Sequence, residues 1–126
     1  MPGIYPNHDN VIKTALGRVV LSEEMLSNLA GQAAVECYGL VGMSAIGLRD
    51  GWAELLKREN LSRGVKIYFK DNHLVVDLYV IVGYGTRIPE VAANVMEKVK
   101  YFMEKATGIP VLIVNVHIQG VRVVER

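Results

Sequence analysis

Cys37, His73 and His117, with His8 and five methionines, are the soft metal-ligating side chains of this 126-residue chain. Zinc-type coordination calls for such residues in closely spaced pairs, so that two ligands come from one turn and two from another. Here they fall in three separate segments without paired spacing, and no metal site or cofactor is expected. Cys37 lies on an apolar helical stripe, where a thiol is buried and unreactive rather than nucleophilic. No grouping of acid, base and nucleophile stands out, and the expectation is a protein that is not an enzyme.

Two glycine-rich stretches offer other chemistry. Gly83-Tyr84-Gly85-Thr86 precedes a helix start, where free backbone N–H groups can meet a phosphate or carboxylate. It lacks the longer glycine pattern and the lysine of a nucleotide-binding loop, so a plain strand-to-helix turn competes with small-anion binding. Gly39-Leu40-Val41-Gly42 stands between two helical patterns, and the surrounding element order copies that of a KH nucleic-acid-binding domain. With Lys57 and Arg58 in a segment carrying a local basic excess, Gly39 and Gly42 form a candidate RNA or single-stranded nucleic-acid site. Leu40 and Val41, however, put apolar side chains where a backbone clamp carries basic or small polar ones. Nucleic acid is therefore the less favoured partner, and a helix-ending turn is the competing role of the glycines.

These residues must be positioned by the elements around them. Ala15 to Leu21 reads as a short strand, and Ser22-Glu23-Glu24 as a helix start, a hydroxyl cap followed by two carboxylates at the positive end of the helix dipole. Met25, Leu26, Leu29, Ala30, Ala33 and Cys37 continue at helical spacing as far as Gly39. Trp52, Leu55, Leu56 and Glu59 suggest an optional short helix. Val65 to Lys70 and Leu74 to Val82 alternate around Asp71-Asn72 as a hairpin. Pro89 and Glu90 open a second helix with a stripe of Val91, Ala92, Val95, Val99, Phe102, Met103 and Ala106, ended by Gly108 and Pro110. Val111 to Ile118 is a final strand, and Gly120 separates it from a Val121 to Val124 extension. The order strand-helix-strand-strand-helix-strand predicts an α+β fold: two layers, a mostly antiparallel sheet with helices on one face. Residues 1–12 are expected to be a flexible segment and 13–126 a single domain.

Leu74, Val76, Leu78, Val80 and Val82 occupy one face of their strand, and Leu112, Val114, Val116 and Ile118 are interior candidates by the same alternation. The opposite face then carries Lys66, Tyr68, Lys70, Asp77, Tyr79, Asn115 and His117, studded with Ile81 and Ile113. Aromatic and aliphatic anchors within a polar surround suit a protein-binding surface, although a solvated sheet face would have the same composition.

Composition sets wider bounds. Fourteen Lys+Arg against thirteen Asp+Glu give a net charge of +1, with 51% hydrophobic and 21% charged residues. This is the balance of an ordinary folded domain and gives no strong polyanion-binding field. A single cysteine excludes an intramolecular disulfide and fits a reducing compartment. Met1 to Asn10 has no basic start or apolar stretch of signal-peptide length, and Leu78 to Val82 and Val111 to Val114 are too short to span a bilayer. Direct membrane insertion is not expected.

Gly17 to Ser22 (GRVVLS), Ala33 to Met43 (AAVECYGLVGM), Asp50 to Val65 (DGWAELLKRENLSRGV), Tyr79 to Val99 (YVIVGYGTRIPEVAANVMEKV) and Val114 to Val123 (VNVHIQGVRV) together carry a resemblance. The chain resembles the alkaline shock protein, or envelope stress response, family of Gram-positive bacteria, and most of all its YloU-like branch. The resemblance implies a small cytoplasmic α+β protein of cell-envelope homeostasis, in some relatives held at the membrane by a separate anchoring protein. It implies no enzymatic activity, no cofactor and no catalytic residues. The resulting expectation is a non-enzymatic scaffold or adaptor with protein partners, a membrane-anchored envelope protein among them. Self-association through an edge strand or the Val121 to Val124 tail is a further expectation.

Overall fold

The computed structural model describes residues 11–46 and 55–123. The expected α+β fold is observed, with the element order β1 (Val11–Thr14), β2 (Gly17–Val20), α1 (Glu23–Val35), β3 (Leu40–Met43), a 3-10 segment (Arg58–Gly64), β4 (Val65–Lys70), β5 (His73–Gly83), α2 (Ile88–Thr107) and β6 (Val111–Arg122). Strand β5 is the axis of the sheet. β6 runs parallel to it from Leu74 to Gly83, so β4 and β3 share its other edge, both antiparallel, β4 along residues 73–78 and β3 along 80–82.

Local chemistry explains the element ends. Ser22 Oγ accepts from the Met25 N–H at 2.9 Å, with Glu23 and Glu24 in the first turn of α1. Asp71 and Asn72 both take positive φ, the conformation a two-residue hairpin turn requires, and join β4 to β5. Helix α2 has Pro89 in its first turn and ends on Gly108 at φ 74°. The Glu104 carboxylate then accepts from the Val111 N–H at 2.9 Å, fastening the end of α2 to the start of β6.

The core lies between the two helices and one face of β5. Leu74, Val76, Leu78, Val80 and Val82 are buried there against Leu26, Ala30, Ala33 and Ala34 of α1 and Val91, Val95, Val99 and Met103 of α2. Burying a side chain of Val or Leu size contributes about 1.5–3 kcal/mol, so this row outweighs any single polar contact in the molecule. A Lys98–Glu36 ion pair at 3.0 Å adds a surface link between α2 and the C-terminal end of α1.

Several sequence expectations are corrected. Ala15 to Leu21 is not one strand: β1 and β2 form a separate two-stranded hairpin turning at Ala15-Leu16, where the Thr14 hydroxyl closes the turn onto Gly17 O. Val11 and Ile12, assigned to a flexible segment, belong to β1; Met1 to Asn10 lie outside the described residues. Helix α1 ends at Val35, not Gly39, because Leu40 to Met43 leaves to pair with β5. Of the optional helix, Trp52 lies outside the described residues, while Leu55 bridges to Ser44 and the Leu56 N–H donates to Met43 O, extending the sheet edge instead.

Leu112 is 45% exposed and Val111 only 3%, the reverse of the expected alternation there. A bulge in the β5–β6 register at Leu112 shifts the pleat by one residue, and from Ile113 onward the expected faces are restored. Phe102 and Ala106 are exposed, so the buried stripe of α2 is a narrow row at every fourth residue. β6 also continues through Gly120 to Arg122, with a second bulge at Gln119 accommodating the glycine; Val124 lies outside the described residues.

Gly39 sits at φ 89°, and a Cβ there would lie 2.5 Å from Val91 Cγ2 of α2. Both the left-handed backbone and the contact with α2 require glycine. Gly39→Ala is expected to destabilise the fold by about 1–3 kcal/mol in urea unfolding, whereas Gly108→Ala, with open space around it, costs only the backbone term of about 1 kcal/mol.

Candidate functional site

The predicted reverse face of the sheet is assembled by register. Across β4, β5 and β6, Lys66 stands opposite Asp77 and Asp77 opposite Asn115; one step along, Tyr68 is opposite Val75 and Val75 opposite Ile113. Tyr79 is opposite His117, and Lys70 opposite His73 at the hairpin end. All seven candidates, Lys66, Tyr68, Lys70, Asp77, Tyr79, Asn115 and His117, therefore share one face.

Its chemistry is polar and fixed along β5 and β6. Asn115 Nδ2 donates to Asp77 Oδ1 at 2.7 Å, and the Tyr79 and His117 rings stack at 4.3 Å between centroids and 6° between planes. His117 Nε2 stands 3.9 Å from the same Asp77 oxygen, too far for a hydrogen bond, and has no hydrogen-bond partner among the described residues. His73 Nδ1 donates to Asp71 O within the turn. Tyr68 and Ile113 flank this polar row, 48% and 46% exposed, with Lys66 and Lys70 exposed beside Tyr68.

One part of the expected surface is corrected. Ile81 is fully buried and Val75 nearly so: Val75 lies between Tyr68 and Ile113 of the neighbouring strands, whereas Ile81, whose cross-strand partners are Gly42 and Gly120, is covered from outside its own row. Ile113, on an edge strand, keeps its exposure. The apolar component of the face is thus Tyr68 and Ile113.

The glycine stretches are placed differently from their sequence reading. Gly39 to Gly42 is not a loop between two helices; its Leu40 and Gly42 are paired with Val82 and Ile81 in the sheet, and Leu55 packs against Gly42. Lys57 is exposed and follows Leu56, whose N–H donates to Met43 O, and the side chain of Arg58 lies outside the described residues. At Gly83 to Thr86 the Gly83 N–H donates to Gly39 O, the Tyr84 N–H to Arg122 O, and the Thr86 N–H and hydroxyl to Gly83 O. Those four donors are engaged within the fold and hold the turn.

A feature the sequence reading missed is the meeting of the two Tyr-Gly turns. Tyr38-Gly39 and Tyr84-Gly85 have glycines at φ 89° and 87°, and the Gly83–Gly39 hydrogen bond of 2.8 Å ties them together. Their rings, 84% and 76% exposed, border a groove of about 460 Å³ reaching Val123 and an adjoining one of about 340 Å³ reaching Arg87 and Asn94. The repeated Tyr-Gly dipeptide is the only sequence signal for it. Cys37, just before the first turn, is buried as expected, with Sγ 3.7 Å from Ala33 O. No group of three or more metal-ligating side chains occurs among the described residues, and no described helix is long and apolar enough to cross a membrane.

Residues 11–123 match the model of the alkaline shock protein 23 family, described by a cell envelope-related function. The chain belongs to this alkaline shock protein family. It is 45% identical to YloU of Bacillus subtilis strain 168 over 89% of this chain and 94% of that protein. It is 36% identical to Spy1614 of Streptococcus pyogenes serotype M6, over 90% of this chain and 94% of that one, and 32% identical to Bacillus subtilis YqhY over 86% and 80%. No solved structure matches the chain. The two Tyr-Gly turns and the strand-turn-helix from Tyr79 to Val99 of this alkaline shock family chain lie in the same text that carried the resemblance.

Burial raises the Cys37 thiol pKa, with nearby Glu36 raising it further and Lys98 opposing both. A pKa raised in the fold means that the thiol's contribution to stability is full below its unfolded value and is lost as pH rises through the folded one. Labelling by a thiol-specific disulfide reagent is therefore expected to be much slower for the native protein than for the urea-unfolded chain at every pH from neutral upward. Equal rates would show an open, reactive thiol.

Proposed function

We propose that this alkaline shock family protein works without catalysis, as a cytoplasmic adaptor in cell-envelope homeostasis, and that it holds a membrane-anchored envelope protein on the reverse face of its sheet. Membership of a family with a cell envelope-related function supplies the setting. The observation that carries the adaptor reading is the pair Tyr68 and Ile113, both about half exposed in the same cross-strand row, beside two exposed lysines and a hydrogen-bonded Asp77–Asn115 pair. Aromatic and aliphatic anchors on a rigid support, rimmed by polar groups, are what protein contacts draw on, because little conformational entropy is lost when they are covered. The flanking Lys66 and Lys70 favour a partner segment that is acidic around an apolar centre.

The test is affinity capture from detergent-solubilised native membranes. The wild-type chain is expected to recover an envelope protein, and Tyr68→Ala with Ile113→Ala to weaken that recovery by about tenfold or more without changing the melting temperature. Tyr101→Ala, on an exposed face of α2, should bind as wild type. Recovery of no envelope protein, or undiminished recovery by the double variant, would overturn the reading.

A further inference from the structure

The two outer strands of the sheet are protected to very different degrees. A strand edge presents unpaired backbone N–H and C=O groups, and natural sheets guard such edges with lysine, proline or other charge. On one side β4 is guarded in this way by Lys66 and Lys70, both exposed. On the other side β6 pairs with β5 alone among the described residues, and from Val111 to Val121 it has no lysine, arginine, carboxylate or proline. Its apolar row is also incomplete at that edge: Val114 is buried, while Val116 and Ile118 pack on the core yet remain partly open.

We infer that the free edge of β6 pairs with β6 of a second copy of this chain, antiparallel and centred on Val116, joining two sheets into one. The sequence of the strand fits this occupant. Antiparallel pairing about a two-fold axis keeps like faces together, so each residue must suit the one its symmetry places opposite. Centred on Val116, Val114 falls opposite Ile118 of the second copy and Val116 opposite Val116, completing the apolar row on the core side. On the reverse side Asn115 falls opposite His117, polar against polar, with no pair of fixed like charges. The bulges at Leu112 and Gln119 leave Ile113 through Ile118 as the straight stretch, and pairing centred on Val116 uses Val114 through Ile118 of it. The joined sheet would also place two copies of the Tyr68–Ile113 face side by side, although the pairing does not depend on what that face binds.

The purified full chain is tested by sedimentation velocity over a wide concentration range, with no partner present, so the result is independent of the adaptor reading. Wild type is expected to form a concentration-dependent dimer. Asn115→Lys with His117→Lys sets lysines opposite one another across the axis and is expected to raise the dimer dissociation constant by at least about tenfold with the circular dichroism unchanged. Val116→Cys should cross-link with a short bis-maleimide into a covalent dimer, and Lys66→Cys on the guarded β4 edge should not; this pair keeps the proposal decidable should the double lysine variant misfold. A wild type that stays monomeric throughout, a lysine variant that dimerises undiminished, or cross-linking through Lys66→Cys in place of Val116→Cys would overturn it.

Discussion

Burial of β5 on both faces is the constraint on which the rest of the structure depends. Five of its residues, from Leu74 to Val82 at every second position, face α1 and α2, while Val75 and Ile81 are buried on the other side. A strand buried in this way must sit inside the sheet with its backbone groups paired along both edges, because an orphaned amide in such surroundings is costly. β6 satisfies one edge along nearly the whole length, and β4 and β3 divide the other end to end. The departure of Leu40 from helical geometry follows from the same need, as the distal end of β5 would otherwise lack a partner.

This placement also governs what the reverse face can do. Asp77 and Tyr79 are the polar-tipped residues in the middle of β5 on that side, and both are held by β6: the carboxylate by the Asn115 amide, the ring by the His117 imidazole. Polar groups fixed from a neighbouring strand form a rigid platform. The apolar groups that remain accessible are on the flanking strands, where Tyr68 and Ile113 have one side free, whereas a residue of β5 itself, such as Ile81, does not.

The family relationship gains a physical rationale from the same geometry. The two Tyr-Gly turns are far apart in sequence, yet the backbone hydrogen bond from Gly83 to Gly39 makes them neighbours at one end of the sheet. Gly39 has no room for a side chain because Val91, near the start of α2, packs against it. The glycines are therefore explained by packing and backbone conformation, with no phosphate or nucleic acid required. The tyrosines are not explained by the core, since both rings stand in solvent beside a groove.

Local chemistry in the sequence was sufficient for the Ser22 cap, the Asp71-Asn72 hairpin, the Pro89 start and Gly108 end of α2, and the valine row of β5. Each depends on residues within a few positions of one another. The grouping of Lys66, Tyr68, Lys70, Asp77, Tyr79, Asn115 and His117 on one face was also legible, because alternation with period two survives wherever strands run without interruption. Tertiary structure alone decided what depends on partners distant in the chain. Leu40 to Met43 became a strand because β5 had an edge to fill, Ile81 disappeared from the surface although its cross-strand partners are the glycines Gly42 and Gly120, and Leu112 turned outward because a bulge absorbs one residue as β6 joins β5. Periodicity records which side of its own strand a residue occupies; whether that side is covered is set by the neighbours that the fold brings to it.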